Sequence, residues 1–347
     1  MMPFEKIAIQ KNEARESHAV MEEWIRELER SSRYEREKKT EIEESIRSPE
    51  GEEYTVRSVE DSNDPVVEKI HAFLTDAFGE DEVEPLSWVR HSIEHRLSFY
   101  DLVETKTGEV ASLGSTQYLE LENGDSPSPP ESMLYVAFIL SKPEFRGKGL
   151  ATELYRAFYR RALQEAERRG QTLRAVVGEA ETGQDRVRAV IGEAVSSVEP
   201  FLNRMGRKRI YFEDERGNVR EIPYTCPPVD INKDGEALSP PCHEHLMVRL
   251  TNNAQELPTK DLIRMVRAIY KEYIASPANY NSAEAFARSE NLVMGFLDEL
   301  EDALRPAKDG KVFLLNAEER RTRQAELTAK GKEFFDLVIP EPEQDTL

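Results

Sequence analysis

Cysteine is nearly absent from this chain: Cys226 and Cys242 are the only two in 347 residues. A single pair is no disulfide framework, so a packed core must hold the fold, and a reducing cytoplasm is the expected compartment. Long apolar runs are missing as well. No uninterrupted stretch approaches the roughly 20 residues that a bilayer-spanning helix needs, and residues 1–13 are too charged for a signal peptide. Basic charge is the third shortage. Forty-seven Lys and Arg stand against 67 Asp and Glu, a formal net charge of −20. That balance disfavours nucleic acid and anionic membrane surfaces as partners. It serves solubility, and it also suits a cationic partner such as a free amine. Wholesale disorder is excluded in turn, because a hydrophobic fraction of 39% is ample for a core.

The length fits one medium domain with substantial additions, or two domains. Residues 11–47 are dense in Glu, Arg and Lys, often four apart, as on a solvated helix. A narrow stripe of Val20, Met21, Trp24, Ile25 and Leu28 runs near its start. This predicts an N-terminal helical arm, 1–52, docking onto the body or onto a second subunit.

From residue 53 the texture changes. Strands are predicted over 54–59, 99–103, 110–121 and 133–140, with a turn at 105–108. Helices are predicted over 65–78 and 86–93. A further helix over 150–169 ends at Gly170, a strand follows over 173–178, and a helix over 187–205 stops at Gly206. The last strands are 209–213 and 245–250. Between them runs an excursion with Pro223, Pro227, Pro228, Pro240 and Pro241, too proline-rich to be expected in regular structure. Beyond Asn252 the pattern reads as entirely helical. Stripes run from Leu262 to Tyr273 and from Leu292 to Leu304, and a third helix spans 317–338, with Asn316 and Glu319 at capping-box spacing. The expected division is a central domain, 53–251, and a C-terminal helical extension, 252–347.

Residues 143–152 carry the chemistry: Pro-Glu-Phe-Arg-Gly-Lys-Gly-Leu-Ala-Thr. They join an apolar strand to a helix bearing Leu154, Tyr155, Phe158, Tyr159 and Leu163. Gly147 and Gly149 let successive N–H groups converge on one anion, and the helix dipole adds to the attraction. Arg146 and Lys148 bring positive charge to the same place. The segment predicts a grip on pyrophosphate. A Walker-type loop is excluded because no Gly-Lys-Ser/Thr ends the run, and a Rossmann fingerprint because its three-glycine spacing is missing.

The order of elements around this loop resembles the GCN5-related N-acetyltransferase superfamily. Its signature, Arg/Gln-x-x-Gly-x-Gly/Ala, is matched by Arg146, Gly149 and Ala151. A second signature, an aromatic-containing helix end before glycine, is approached by Phe201-Leu202-Asn203-Arg204-Met205-Gly206. The resemblance covers residues 53–250 and leaves out the arm and the C-terminal helices. It implies an α+β fold with a mixed, mostly antiparallel central sheet flanked by helices. It also implies an N-acyltransferase that moves an acyl group, most simply from acetyl-CoA, to the primary amine of a small molecule, peptide or protein lysine.

On the same resemblance, the pyrophosphate of acetyl-CoA, or of another acyl-CoA, would lie on the backbone of Arg146, Gly147, Lys148, Gly149, Leu150 and Ala151, with Thr152 adding a hydroxyl. The pantetheine arm would pair like a strand with Ile139, Leu140 and Ser141. Leu202 stands where many relatives carry a proton-donating tyrosine. The strand before the loop has no carboxylate, and Tyr135 is its only ionisable side chain. Glu179 and Glu181, just past strand 173–178, are the candidates for the base, with Glu120 a further option.

No metal-ligand set is read from the sequence. His91 and His95 lack a third partner, and the spacing of Cys226 with Cys242-His243-Glu244-His245 matches no familiar zinc site. Two other readings stay open: a catalytically weak acyl-CoA-binding or assembly module, and a transferase of longer acyl chains. The arm or the C-terminal helices are the expected surfaces for a homodimer.

Overall fold

The computed structural model describes residues 43–48, 50–79, 83, 85–122, 129–181, 201–203, 205–228, 231–274 and 280–338. The predicted arm helix up to residue 42 and most of the helix predicted over 187–205 lie outside them.

Within the described residues the strands are β1 Glu43–Arg47, β2 Glu53–Val59, β3 Phe99–Thr105, β4 Val110–Leu121, β5 Glu131–Ser141, β6 Thr172–Glu181, β7 Lys208–Glu213, β8 Val219–Glu221, β9 Thr225–Cys226, β10 Cys242–Leu250, β11 Glu256–Pro258 and β12 Lys311–Leu315. The principal helices are α1 Val66–Phe78, α2 Leu86–Glu94, α3 Leu150–Arg168, α4 Thr259–Glu272, α5 Ala283–Leu304 and α6 Ala317–Val338. Across the sheet the order is β1-β2-β3-β4-β5-β6-β10-β7-β12-β11, with β8 on β7 and β9 on β10. The β5–β6 pair is parallel and the other ladders are antiparallel. Parallel neighbours need a crossover, which the glycine loop and α3 supply.

Strand alternation divides the core between two faces. Leu134 and Val136 of β5 and Val176 of β6 pack with Leu154, Phe158 and Ala162 of α3. The intervening Met133, Tyr135, Ala175 and Val177 face the other way, towards Leu262, Met265 and Ile269 of α4 and Val293 and Leu297 of α5. Helices α1 and α2 bury Ile70, Leu74, Val89 and Ile93 against Leu102 and Leu113. Leu113 shares its parity on β4 with Leu119 and Leu121, which pack with α4 and α5, so both helix pairs cover one face.

Two features at the sheet centre position the site. Ala137 is an extra residue in β5, lodged between the pairs Ser115↔Phe138 and Thr116↔Val136, and such a bulge bends its strand. There the parallel pairing also stops, at Val136↔Gly178. Strand β5 runs on beside β4 to Ser141, while β6 runs on beside β10 to Glu181. The two central strands therefore fork.

Three local expectations are corrected. Residues 43–47 form a strand in register with β2 (Ile46↔Tyr54) rather than helix, because an open strand edge and a core seat for Ile46 outweigh the charge spacing. The chain beyond Asn252 is not entirely helical: β11 and β12 extend the sheet, burying Leu257, Val312 and Leu314. Segments this short show no period between the stronger helical stripes. The proline-rich excursion contributes β8 and β9 and a bridge between Ile231 and Ala237. The capping box of α6 is formed: Asn316 Oδ1 accepts from the Glu319 amide at 2.9 Å, and Glu319 Oε2 accepts from the Asn316 amide at 2.8 Å.

Candidate active site

The glycine loop lies at the open end of β5. Gly147 (φ 80°) and Gly149 (φ 81°) are both left-handed, and α3 begins at the next residue, Leu150. A Cβ at either glycine would meet nothing within 4 Å, so backbone conformation rather than space calls for glycine here. The amides of Thr152 and Glu153 donate to the Gly149 carbonyl at 3.0 and 3.2 Å. That leaves the amides of Leu150 and Ala151 as outward donors at the positive end of the helix dipole. Arg146 Nε donates to the Ser141 carbonyl at 3.3 Å. Lys148 is already partnered: its Nζ lies 2.6 Å from Glu52 Oε2 and 5.4 Å from the centre of the Phe145 ring. Ile139, Leu140 and Ser141 pair on one side with Gly114, Leu113 and Ser112, and β6 does not reach their other side.

The floor of the fork explains a glycine within β6. A Cβ on Gly178 would collide with the Arg207 guanidinium and the Val136 carbonyl. Arg207 is 1% exposed and lies 5.0 Å from the centre of the Tyr155 ring. Its Nε and Nη2 have no hydrogen-bond acceptor among the described residues.

One residue past the fork, and on the opposite face from Gly178, Glu179 sits in a cluster of phenols. Tyr135 donates to Glu179 Oε2 at 2.5 Å, Tyr224 donates to Oε1, and Tyr273 donates to Oε2 at 3.2 Å. Four elements meet here: β5, β6, the segment before β9 and the end of α4. Tyr270, fully buried on α4, ties that helix to β9 by donating to the Thr225 carbonyl at 2.6 Å. Burial pushes the Glu179 carboxyl above its ordinary value, against the pull of the Tyr135, Tyr224 and Tyr273 hydrogen bonds. Burial also pushes those phenols up, and the neighbouring carboxylate adds to the effect. The result is a carboxylate held by donors that keep their protons, which suits it to take one from a substrate.

The sequence candidates therefore divide. Tyr135 and Glu179 are brought together. Glu181 pairs through its backbone with Glu244, and its side chain lies outside the described residues. Glu120 forms an ion pair with Arg169 at 3.0 Å, away from the fork. Leu202, 5% exposed, packs on Ala180 and Met247 and has no proton to give. Sequence reasoning missed Tyr224, Tyr273 and Arg207. Gly178 was the one visible signal, since a glycine inside a strand marks a close approach.

A parallel central pair that forks at a bulge, with a glycine turn and a helix N-terminus at its open end, decides the architecture. The fold is of the GCN5-related N-acetyltransferase type. No protein-family model matches the chain, and no curated protein matches it either. Among solved structures it is similar to Arabidopsis thaliana NAA60 in complex with acetyl-CoA, at 11% identity and a TM-score of 0.38 over 57% of this chain and 99% of that one. It is also similar to the aminoglycoside N-acetyltransferase AAC(6')-Iy in complex with CoA, at 14% identity and a TM-score of 0.29, covering 42% and 89%. A third is a GCN5-related glucosamine N-acetyltransferase region in a fungal multi-domain GH3 beta-N-acetylglucosaminidase, at 16% identity and a TM-score of 0.31, covering 53% and 19%. Likenesses this distant leave activity and substrate to this chain's own residues. No helix among the described residues is long and apolar enough to cross a membrane.

Proposed function

We propose that the protein is an acyl-CoA-dependent N-acyltransferase, most simply one that moves an acetyl group from acetyl-CoA to a primary amine. The observation that carries this reading is the fork itself. It has a glycine turn with outward backbone amides at its open end and a half-buried carboxylate one residue past its apex. The amides of 147–151 would hold the pyrophosphate, with Arg146, Lys148 and Thr152 beside it, and the edge of Ile139, Leu140 and Ser141 that β6 does not reach would receive the pantetheine as an added strand. The thioester would then reach the apex. An amine attacking its carbonyl carbon forms the C–N bond, the C–S bond breaks, and the amine's proton passes to Glu179. Tyr135, Tyr224 and Tyr273 hold that carboxylate in place. Leu202 offers nothing to the departing sulfur, which leaves as a thiolate.

Leu202 also favours a second reading, an acyl-CoA-binding module with weak chemistry. Incubation with acetyl-CoA and a panel of amines, peptides and lysine-bearing proteins, with released thiol followed, separates the two. Turnover with any amine supports the transferase. Acyl-CoA binding without thiol release across the panel sinks it.

A further inference from the structure

Spacing along the chain gave no reason to join the two cysteines, but strand pairing joins them. Cys226 closes β9, Cys242 opens β10, and the two are direct partners across that antiparallel ladder. Glu244 lies two residues further along β10, on the same face as Cys242. The two sulfurs and a Glu244 carboxylate oxygen all lie within 4.8 Å of one another. Cys242 Sγ is 3.5 Å from Glu244 Oε1, and Cys226, 4% exposed, is 3.1 Å from the Tyr273 hydroxyl.

We propose that Cys226, Cys242 and Glu244 form a binding site for one soft divalent cation, of which zinc is the natural candidate. Three atoms so close share a central point within about 2.8 Å of each. Small rotamer adjustments bring that to the zinc–sulfur and zinc–oxygen distances of about 2.3 and 2.1 Å. The donor chemistry agrees, because thiolates select zinc over the hard cations. Binding releases the two thiol protons to solvent, and their three negative charges then face two positive ones. Three protein ligands leave a fourth position, and the Tyr273 hydroxyl lies 3.1 Å from one of the ligands, Cys226 Sγ. The cation would fasten the proline-rich excursion to β10. Tyr224, two residues before Cys226, and Tyr273, in contact with it, would thereby be steadied over Glu179.

The site stands apart from the acyl-transfer reading, and its test reads the metal. Reduced full-length protein is titrated with cobalt(II) in place of zinc. The expected result is saturation at one equivalent, with thiolate charge-transfer absorption in the near ultraviolet and the intense visible bands of four-coordinate cobalt. Zinc then abolishes both, raises the melting temperature, and shields Cys242, the partly exposed thiol, from alkylation. Cys242→Ser removes the spectrum, and Glu244→Gln, which leaves the buried Cys226 intact, weakens cobalt affinity at least tenfold. Absence of thiolate absorption at one equivalent, unchanged alkylation with zinc, or a Cys226–Cys242 disulfide in protein prepared under reducing conditions would each overturn the proposal.

Discussion

The two faces of the central fork are built in opposite ways. The proposed donor side is made of backbone: two left-handed glycines, a helix N-terminus and a strand edge that β6 does not reach, all within residues 139–152. The proposed acceptor side is made of side chains from four elements, Tyr135, Glu179, Tyr224 and Tyr273, the last at the end of α4. A backbone site needs only its own short segment to fold. A side-chain site needs the whole sheet and the C-terminal helices in register. Chemistry and donor binding should therefore fail separately.

Glu179→Gln breaks the acceptor half alone. Removing a general base lowers kcat by about 10²- to 10⁴-fold, while CoA affinity, read by calorimetry, stays unchanged. A parallel loss of affinity would show that the halves are not separate. Ile269→Ala, at a fully buried position of α4, opens a cavity between that helix and the sheet. It should cost about 2–5 kcal/mol in urea unfolding and lower turnover more than CoA affinity. Gly149→Val attacks the other half by placing a β-branched residue at φ 81°. Strain of about 1–3 kcal/mol there predicts a loss of CoA affinity of about tenfold, with the amine KM unaltered. Lys148→Ala has the smallest effect, because Glu52 already holds that charge. It should flatten the salt dependence of CoA binding, checked by titration at two ionic strengths, and leave the melting temperature where it was.

The same contrast governs what was legible in the sequence. Arg146, Gly147, Gly149 and Ala151 are neighbours in the chain, so their joint chemistry could be read directly. Glu179 was singled out by its place after a central strand, and Tyr135 as the only ionisable group on the strand predicted over 133–140; the strand in fact begins earlier, at Glu131. Tyr273 was not, since 94 residues separate it from Glu179 and its helix reads as an ordinary core stripe. Cys226 and Cys242 stayed unconnected because pairing, not spacing, joins them. Strand β12 escaped because four apolar residues, Val312 to Leu315, carry too little periodicity to stand out between two helices.

The central claim is that a carboxylate kept above its ordinary pKa accepts the amine proton. The direct measurement is the pH dependence of kcat/KM for thiol release, in the native protein and in Glu179→Gln. A base works only when ionised, so activity falls as pH drops through its pKa. Because burial raises that value, the acid limb should lie above the ordinary Glu range, and Tyr273→Phe, which removes a donor to the carboxylate, should move it higher still. The sign for stability is opposite: a raised carboxyl loses native stability as pH rises through its folded value, and Glu179→Gln removes that loss. The expected result is a raised limb in the native protein that disappears in Glu179→Gln. An identical limb in both proteins would contradict it.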